Sequence, residues 1–542
     1  MAQAAASRKT PSWQTWLIRA ALVAVTIGVF SPLFKAQFLQ WDDGENLFDN
    51  PRMLPPSWAN CGYYWRHEYL SLYIPMTYTV WSALAAVAQE PGDGPNHRTL
   101  NPAIFHGANI AVHALAVVVI FNILRLLVAD LPAMAGALLF AIHPVQAEAV
   151  GWACGMKDLL AGLFGFVAIW QYILLCGRNQ RMLSPRYALA TIAFALALLS
   201  KPSAAATPLI AGALAYLLMH RPFRQVVAEI GPWLMLSVVM AVVAVLVQPA
   251  SYQLLAVPIW ARPLIAADAL AFYLYKLAWP VRLCLDYGRT PREILSVVPY
   301  YAYWTWIFPA GFLVVLWWKR RRWPRVFAAA IIFVAGLLPV LGLIRFNFQG
   351  ISTVTDHYLY PAMLAPALAL ASLLNARRHS LGVVAAVAGG LAVLALLCHA
   401  QTFKWLNEPA AFGHATDINP RSWIGHHHLW QWDMDHGNAP LAETQARGVI
   451  AGNPNNVNGY VDLADSLAAM DRWQAAADAY EQAIRITPDD PVLYNNLASL
   501  YGSHGRPLRA IPLYRKALEL NPDYADARTG LATALRAAGN QK

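Results

Sequence analysis

From residue 16 to residue 399 the sequence alternates between long apolar stretches and shorter polar segments. Each apolar stretch is about 17–25 residues long, which is the length that an α-helix needs to cross a bilayer. We count about eleven such stretches. The first, Trp16–Phe34, is not followed by a small-x-small cleavage pattern, which indicates a retained signal anchor. The pattern predicts an all-α fold in which residues 1–400 form a polytopic bundle of membrane helices.

The positive charges orient this bundle. Lysine and arginine gather on one side of it, as is typical of cytoplasmic loops, if the N-terminus is cytoplasmic. Three large loops then lie outside: 35–102, 250–301 and 345–358. The stretch 73–88 is apolar but short, and counting it as a span would invert the charge bias, so we interpret it as a helix along the outer leaflet. The inner ends carry Arg125, Arg178, Arg186, Arg221, Arg224 and the run Lys319–Arg322.

The polar C-terminal part repeats with a period of 34 residues. A large–Leu–small pattern followed by Ala–aromatic–Ala is typical of tetratricopeptide helix pairs, which stack into an α-solenoid. Because the last span ends outside, this array is predicted to be extracytoplasmic. The matching positions include Tyr460 with Tyr494, Leu463 with Leu497, Ala476 with Ala510 and Tyr480 with Tyr514. We expect a linker at 401–422, a degenerate repeat at 423–456, repeats at 457–490 and 491–524, and a cap helix at 525–540.

Composition agrees with a membrane protein. Hydrophobic residues make up 58% of the chain and charged residues 13%, against roughly 25% charged residues in soluble domains. These values exclude a single soluble domain and a disordered chain. The net charge of +10 is explained by the cytoplasmic loops, so we expect membrane lipid and no nucleic acid among the partners.

The cysteines and histidines do not predict a metal site. The five cysteines show no CxxC spacing. A bridge between Cys61 and Cys284, both on the outer side, stays open beside the alternative of isolated apolar thiols. His426–His428 occupy consecutive positions on a helix, where side chains point in different directions. We expect neither a metal nor a nucleotide cofactor, since no phosphate-binding glycine motif is present either.

Acidic residues stand at the outer end of the first span. The segment FLQWDDGENLFDNP begins at Phe38 and contains Asp42 and Asp43. A carboxylate at this position is a candidate general base for an acceptor hydroxyl. The alternative is a pair of solvated loop acids.

The second outer turn concentrates ionisable residues between two apolar stretches. His143, Glu148, Lys157 and Asp158 lie within sixteen positions of one another. Ionisable groups at membrane ends are expensive unless they are used or solvated. We interpret the cluster as substrate-binding, with a structural hydrogen-bond knot as the alternative.

Outer cations next to aromatic residues form the third candidate group. Lys201 and Arg345 depart from the charge bias, and His357, Tyr358 and Tyr360 follow Arg345. Cations beside interfacial rings suit a lipid-linked phosphate and its acyl tail. The alternative is simple anchoring to anionic lipid headgroups.

An ordered set of segments carries a resemblance to a known family. Asp42–Asp43 with a downstream Asn50–Pro51 comes first, and tetratricopeptide repeats come last. Between them lie IPMTYTVW (74–81), NPAIFHGANIAVHAL (101–115), HPVQAEAVGWACGMKDLLAGLF (143–164) and DHYLYP (356–361). This order resembles the transmembrane and tetratricopeptide repeat-containing glycosyltransferases, thought to be protein O-mannosyltransferases of the GT-C class.

The resemblance implies a reaction and roles. Such enzymes move a sugar from a polyprenyl-phosphate carrier to an acceptor, so the lipid-linked donor is a co-substrate and no further cofactor is expected. Asp42 would be the general base, Asp43 its neighbour in acceptor or sugar binding, and His143, Glu148 and Asp158 the second family loop. His357 stands where animal members usually have Arg, which favours Lys201 and Arg345 as the phosphate ligands.

The expected location is a bacterial inner membrane with the array in the periplasm, where it binds an acceptor protein or peptide. Three other functions stay open: a glycosyltransferase acting on lipid-linked glycan, a membrane-anchored scaffold without catalysis, and a transporter. A transporter calls for ionisable residues in the middle of spans, whereas here they stand at the outer ends.

Overall fold

The computed structural model describes residues 12–92, 98–178, 182–247, 257–297, 300–375 and 380–539. The chain divides into two units, Met1–Asn407 and Glu408–Lys542. Parts of the expected outer loops (93–97, 250–256 and 298–299) and residue 540 of the expected cap lie outside the described residues.

The first unit is built of α-helices joined by short 3-10 turns. One two-stranded antiparallel sheet, β1 (Gln89–Pro91) with β2 (Arg98–Leu100), lies among its described residues. The helices are α1 (Ser12–Phe30), α2 (Trp58–Tyr64), α3 (Pro75–Val87), α4 (Pro102–Leu124), α5 (Asp130–Ile142), α6 (Gln146–Gly151), α7 (Met156–Gly177), α8 (Pro185–Ser200), α9 (Thr207–Leu217), α10 (Phe223–Leu246), α11 (Arg262–Ala278), α12 (Pro291–Ser296), α13 (Ile307–Lys319), α14 (Pro324–Leu337), α15 (Leu364–Asn375) and α16 (Leu381–Thr402).

Many of these helices start in a way that the sequence dictates. Asn101, Ser184 and Ser380 accept a hydrogen bond from a backbone N–H of the first turn. Proline follows the first two, at a position where the helix needs no N–H donor.

The described part of the chain has five helical segments that are long and apolar enough to cross a membrane. Five shorter apolar segments accompany them, so the count of about eleven spans stays a prediction. The long segments are Ser12–Lys35, Pro102–Leu124, Ala153–Gly177, Phe223–Leu246 and Leu381–Trp405. In α16 only Cys398 and Thr402 are buried, which leaves apolar side chains such as Leu396 for lipid. The chain is a multi-pass membrane protein.

Some segments that were expected to be outer loops contain helices. The expected loop 250–301 contains α11, a helix of 17 residues whose Leu270, Leu274 and Leu277 line an apolar groove of about 680 Å³ with α13, α14 and α15. Its buried Asp268 pairs with Arg289, and its buried Lys276 donates to the carbonyl oxygen of Val281, so charge alone did not make this segment a loop. The stretch 73–88 contains the helix α3, and its position along the outer leaflet stays a prediction.

All five cysteines are free and buried. The open possibility of a bridge between Cys61 and Cys284 is therefore wrong for this structure. Cys284 Sγ instead donates to the carbonyl oxygen of Asp286 at 3.1 Å, and both cysteines pack as small apolar groups.

The second unit is an array of antiparallel helix pairs, as the 34-residue period predicts. Buried alanines such as Ala464, Ala476, Ala498 and Ala510 let the helices approach closely, and Tyr480 and Tyr514 pack between them. The helices are α17 (Glu408–Ile418), α18 (Trp423–Asp435), α19 (Ala439–Gly452), α20 (Val457–Ala469), α21 (Trp473–Ile486), α22 (Pro491–Ser503), α23 (Pro507–Leu520) and α24 (Ala525–Gly539).

The histidines of α18 point in different directions. His426 contacts Gln445, His427 pairs with Asp462 at 2.7 Å, and His428 stacks on Phe412. Among the described residues, no group of three or more His, Cys, Asp or Glu side chains is arranged to hold a metal ion.

Candidate functional site

The two neighbouring aspartates of the first loop occupy different environments. Asp43 is fully buried, and its carboxylate accepts backbone N–H groups from Leu39 at 3.0 Å and from Cys154 at 2.9 Å. Asp42 keeps 35% of its side chain exposed, and its Oδ2 lies 2.8 Å from Lys157 Nζ. No described residue donates a hydrogen bond to Asp42 Oδ1. Asp42 is therefore the carboxylate that a substrate can reach.

The turn from α6 into α7 is shaped to meet this loop. Asn109 on α4 donates from Nδ2 to the carbonyl oxygens of Val150 at 3.2 Å and Trp152 at 2.7 Å. Gly151 allows a close approach, because a Cβ there would lie 2.8 Å from the ring of Trp405. These contacts place the first turn of α7 beside Asp42.

Two ion pairs lie next to each other on α7. Lys157 binds Asp42, and its neighbour Asp158 receives Lys201 Nζ at 2.6 Å and 2.8 Å from its two oxygens. The Lys201 and Asp158 side chains are 16% and 5% exposed. Charges alternate along this row, which runs from the first loop to the turn before α9.

Glu148 on α6 holds the turn that precedes α15. Its Oε1 accepts the hydroxyl of Thr355 at 2.6 Å and lies 2.7 Å from His357 Nδ1. Its Oε2 accepts the backbone N–H groups of Asp356 at 2.8 Å and His357 at 3.2 Å. One buried carboxylate thus fixes both the backbone and the imidazole of this turn.

Aromatic rings surround the charged row. Trp41 and Trp152 stack with ring centres 4.9 Å apart, and Lys157 Nζ lies 4.3 Å from the Trp152 ring. Lys201 Nζ lies 5.3 Å from the ring of Tyr358, which in turn contacts His357 edge-on at 4.5 Å. Rings and a few polar groups are typical of a ligand site.

Burial shifts the pKa values of those site groups that lie outside the apolar membrane spans. Desolvation raises the pKa of Asp43 to about 6, opposed by its two backbone donors. Desolvation also raises the pKa of Glu148, opposed by the hydrogen bonds from Thr355 and from the turn. Burial lowers the pKa of His357 to about 3, so its imidazole is neutral near pH 7.

Two of the predicted site residues, His143 and Tyr360, lie elsewhere. His143 is buried and its Nε2 contacts the carbonyl oxygen of Leu277 at 3.2 Å, which ties α5 to α11. Tyr360 is fully buried, and its hydroxyl lies 3.0 Å from His113 Nδ1 in the bundle core. Arg345 lies in the turn before the 3-10 helix Asn347–Gly350. The structure thus brings together Asp42, Glu148, Lys157, Asp158, Lys201, His357 and Tyr358, with Asp43 beneath them.

Several residues that support the site were not predicted from the sequence. Trp41 and Trp152 are two of them. Trp41 lies in the motif that contains Asp42, and Trp152 lies in the motif that contains Glu148 and Lys157. Thr355 and Asp356 were missed as well, and Asp356 accepts the Tyr287 hydroxyl at 2.8 Å from a segment without a motif. Proximity to a motif could have pointed to the tryptophans.

A narrow slot with a cavity volume of about 20 Å³ lies beside Asp158, between α7 and α9. Its walls are small or apolar and include Gly162, Gly165, Ala204 and Ile210. The slot therefore joins a charged end at the ion pair to an apolar interior.

Comparison with known families gives one match in the first unit. Residues 103–248 match the family described as dolichyl-phosphate-mannose-protein mannosyltransferase. The matched segment includes Lys157 and Lys201 but not Asp42 or His357.

Two matches fall in the second unit. Residues 464–505 match the family described as TPR repeat, and residues 503–541 match the tetratricopeptide repeat family. The predicted presence of C-terminal tetratricopeptide repeats is confirmed, whereas the bounds of each repeat and the degenerate repeat at 423–456 stay predictions.

Protein O-mannosyl-transferase TMTC3 from mouse (Mus musculus) is 31% identical over 102 residues, which cover 19% of this chain and 11% of that protein. The human (Homo sapiens) TMTC3 protein is 29% identical over 102 residues, with the same 19% and 11% coverage. The chain thus aligns with about a tenth of the length of these relatives. Among solved structures, a crystal structure of MamA protein is 23% identical with a TM-score of 0.23, covering 24% of this chain and 70% of that chain.

Proposed function

From the mannosyltransferase match and the repeats, which together fit the transmembrane and tetratricopeptide repeat-containing glycosyltransferases, we propose that this chain is a membrane glycosyltransferase. It moves a sugar from a polyprenyl-phosphate donor to a hydroxyl of an acceptor protein on the extracytoplasmic side. The observation that carries the proposal is the reachable carboxylate of Asp42 beside a row of paired charges.

Asp42 is the general base of the proposed reaction. Lys157 Nζ holds Oδ2, and Oδ1 is left for an acceptor hydroxyl. Asp43 is a positioning residue, because both its oxygens are occupied by backbone N–H groups. This division supports the preference for Asp42 that the family resemblance implies.

Lys201 is the proposed ligand of the donor phosphate, with Arg345 as the second candidate. An anionic phosphate competes with Asp158 for the ammonium group, and charge-assisted hydrogen bonds to phosphate are strong. The slot beside Asp158 begins at this ion pair and continues between apolar walls.

The proposed reaction is an in-line displacement at the anomeric carbon. The acceptor oxygen forms a bond to this carbon as its proton passes to Asp42. The bond from the carbon to the phosphate oxygen breaks, and the bonding electrons leave with the polyprenyl phosphate. The configuration inverts, and positioning with electrostatic stabilisation provides the acceleration without a nucleotide or metal cofactor.

The tetratricopeptide array is the proposed docking surface for the acceptor protein, since such arrays present extended concave surfaces.

We propose the bacterial inner membrane as the location, with a cytoplasmic N-terminus and a periplasmic array. The proposed sides of the N-terminus and of the array rest on the charge bias of the loops and the odd number of predicted spans.

Sugar transfer in vitro tests the function. Purified wild type is supplied with a panel of polyprenyl-phosphate sugars and a periplasmic extract as acceptor. We expect label on protein with wild type and loss of label with Asp42→Asn. The matched control is Glu45→Gln, an exposed acid of the same loop.

Other outcomes identify the alternatives. Label on lipid or glycan instead of protein would assign the chain to lipid-linked glycan synthesis. No transfer from any donor, with Asp42→Asn indistinguishable from wild type in cells, would favour the scaffold without catalysis.

A further inference from the structure

We propose that His357, held by Glu148, binds a ring hydroxyl of the transferred sugar through Nε2 and so determines which sugar the site accepts. The inference rests on the proposed glycosyltransferase function and adds to it a residue that recognises the sugar. It concerns a side chain that the proposed reaction itself does not use.

His357 lies between the two lysines of the charged row. The ring of Trp152 contacts Lys157 Nζ at 4.3 Å and the His357 ring at 5.7 Å. The ring of Tyr358 contacts Lys201 Nζ at 5.3 Å and the His357 ring at 4.5 Å. The imidazole thus stands between the proposed base, which Lys157 holds, and the proposed phosphate ligand. The transferred sugar has to occupy the same interval.

The imidazole is buried, with 4% of its side chain exposed, and its hydrogen bonds all go to one of its two nitrogens. Glu148 Oε1 holds Nδ1 at 2.7 Å, and Thr355 and two backbone N–H groups hold the carboxylate in turn. No described residue makes a hydrogen bond to His357 Nε2. A ring fixed in this way presents Nε2 in one direction with little loss of entropy on binding.

A hydroxyl group matches the chemistry of this nitrogen. Burial keeps the imidazole of His357 uncharged, which makes it a poor partner for a phosphate. A neutral imidazole nitrogen either donates or accepts, depending on the tautomer that Glu148 imposes, and a hydroxyl accommodates both. The partly exposed ring of Phe348 next to His357 offers an apolar face for the C–H groups of a sugar.

Mono-deoxy donors test the inference. Sites that are built to bind a substrate hydroxyl reject the analogue without it, by up to about 10⁴–10⁵-fold. We expect one deoxy position of the accepted sugar to lower wild-type kcat/KM by on the order of 10²-fold or more. In His357→Asn, which keeps an amide near the Nδ1 position but lacks Nε2, the parent and that deoxy donor should react at similar, low rates.

Two further variants keep the test independent of folding defects. His357→Gln places an amide near the Nε2 position and should restore part of the discrimination. His143→Asn is the matched control, because His143 is equally buried and bound to a carbonyl oxygen away from the charged row. It should keep the wild-type ratio between parent and deoxy donors.

The possible failures are distinguishable. If wild type transfers no sugar, the proposed function falls and this inference falls with it. If wild type transfers sugar but tolerates every deoxy donor within a few-fold, or if His357→Asn discriminates as wild type does, the inference alone is overturned.

Discussion

The backbone N–H of Cys154 donates a 2.9 Å hydrogen bond to Asp43 Oδ1 across 111 positions of the chain. This contact joins the loop after α1 to the turn that starts α7. It also separates the roles of two adjacent carboxylates, because it buries Asp43 and leaves Asp42 at the surface beside Lys157.

Asparagine substitutions of the two aspartates should separate catalysis from stability. Asp42→Asn keeps an oxygen for Lys157 but loses the base, so kcat should fall by about 10²–10⁴-fold. Asp43→Asn leaves a backbone N–H of Leu39 or Cys154 without an acceptor, at about 1–3 kcal/mol. We expect the larger drop in thermal unfolding temperature with Asp43→Asn. Equal losses of stability in both variants would contradict the separate roles.

Removal of the Lys201 ammonium should weaken donor binding. A hydrogen bond to a charged group contributes about 1.5–3 kcal/mol, so Lys201→Gln should raise the KM for the lipid-linked donor by about 10- to 100-fold. Lys35→Gln, at an exposed lysine outside the charged row, should leave KM unchanged. An unchanged KM in Lys201→Gln would exclude Lys201 as the phosphate ligand. Arg345 would then be the ligand, and Arg345→Gln should raise the KM instead.

The second unit should lose stability in mild acid because of His428. Its imidazole is buried against Phe412, and burial lowers its pKa from 6.5 to about 3. The unfolded chain therefore binds a proton that the folded chain excludes, and stability falls as the pH drops below 6.5. The loss amounts to about 2 kcal/mol at pH 5.

His428→Phe should flatten this pH profile in thermal unfolding of residues 408–542, because phenylalanine keeps the stacking and cannot titrate. A variant profile as steep as that of the wild type between pH 6.5 and 5 would assign the loss to other groups.

Close packing at the cap helix gives a steric prediction. A Cβ at Gly530 would lie within 2.7 Å of ring atoms of Tyr514, so Gly530→Ala forces the ring to shift and should cost about 1–3 kcal/mol. Gly502 has no atom within 4 Å of such a Cβ, and Gly502→Ala should not destabilise the array. Thermal unfolding of both variants measures this difference in stability. Equal unfolding temperatures would show that Tyr514 moves aside at little cost.

Much of the fold follows from local sequence. Apolar stretches give the helices of the first unit, and the 34-residue period gives the helix pairs of the second. The helix α11 within segment 250–301 was not predicted, because it carries Asp268 and Lys276 on its buried face. A charge that is paired within the fold looks the same in the sequence as a charge in water.

The site was predicted as a set of residues but not as a set of contacts. Asp42, Lys157, Asp158 and Lys201 were all candidates from their position at the ends of apolar stretches. Their pairing depends on segments 115 and 43 positions apart, for which no periodicity exists. The same limit applies to Tyr360, which the motif grouped with His357 although the next helix turn carries it into the core.

The neighbouring Lys157 and Asp158 have a consequence for the assembly of the bundle. Successive residues of a helix are about 100° apart, so these two side chains meet partners on different sides of α7. A rotation of α7 by one position would bring a lysine towards Lys201 or an aspartate towards Asp42. Either error buries like charges together, which is unfavourable. The row of four charges therefore favours the correct rotation of this helix over its neighbours.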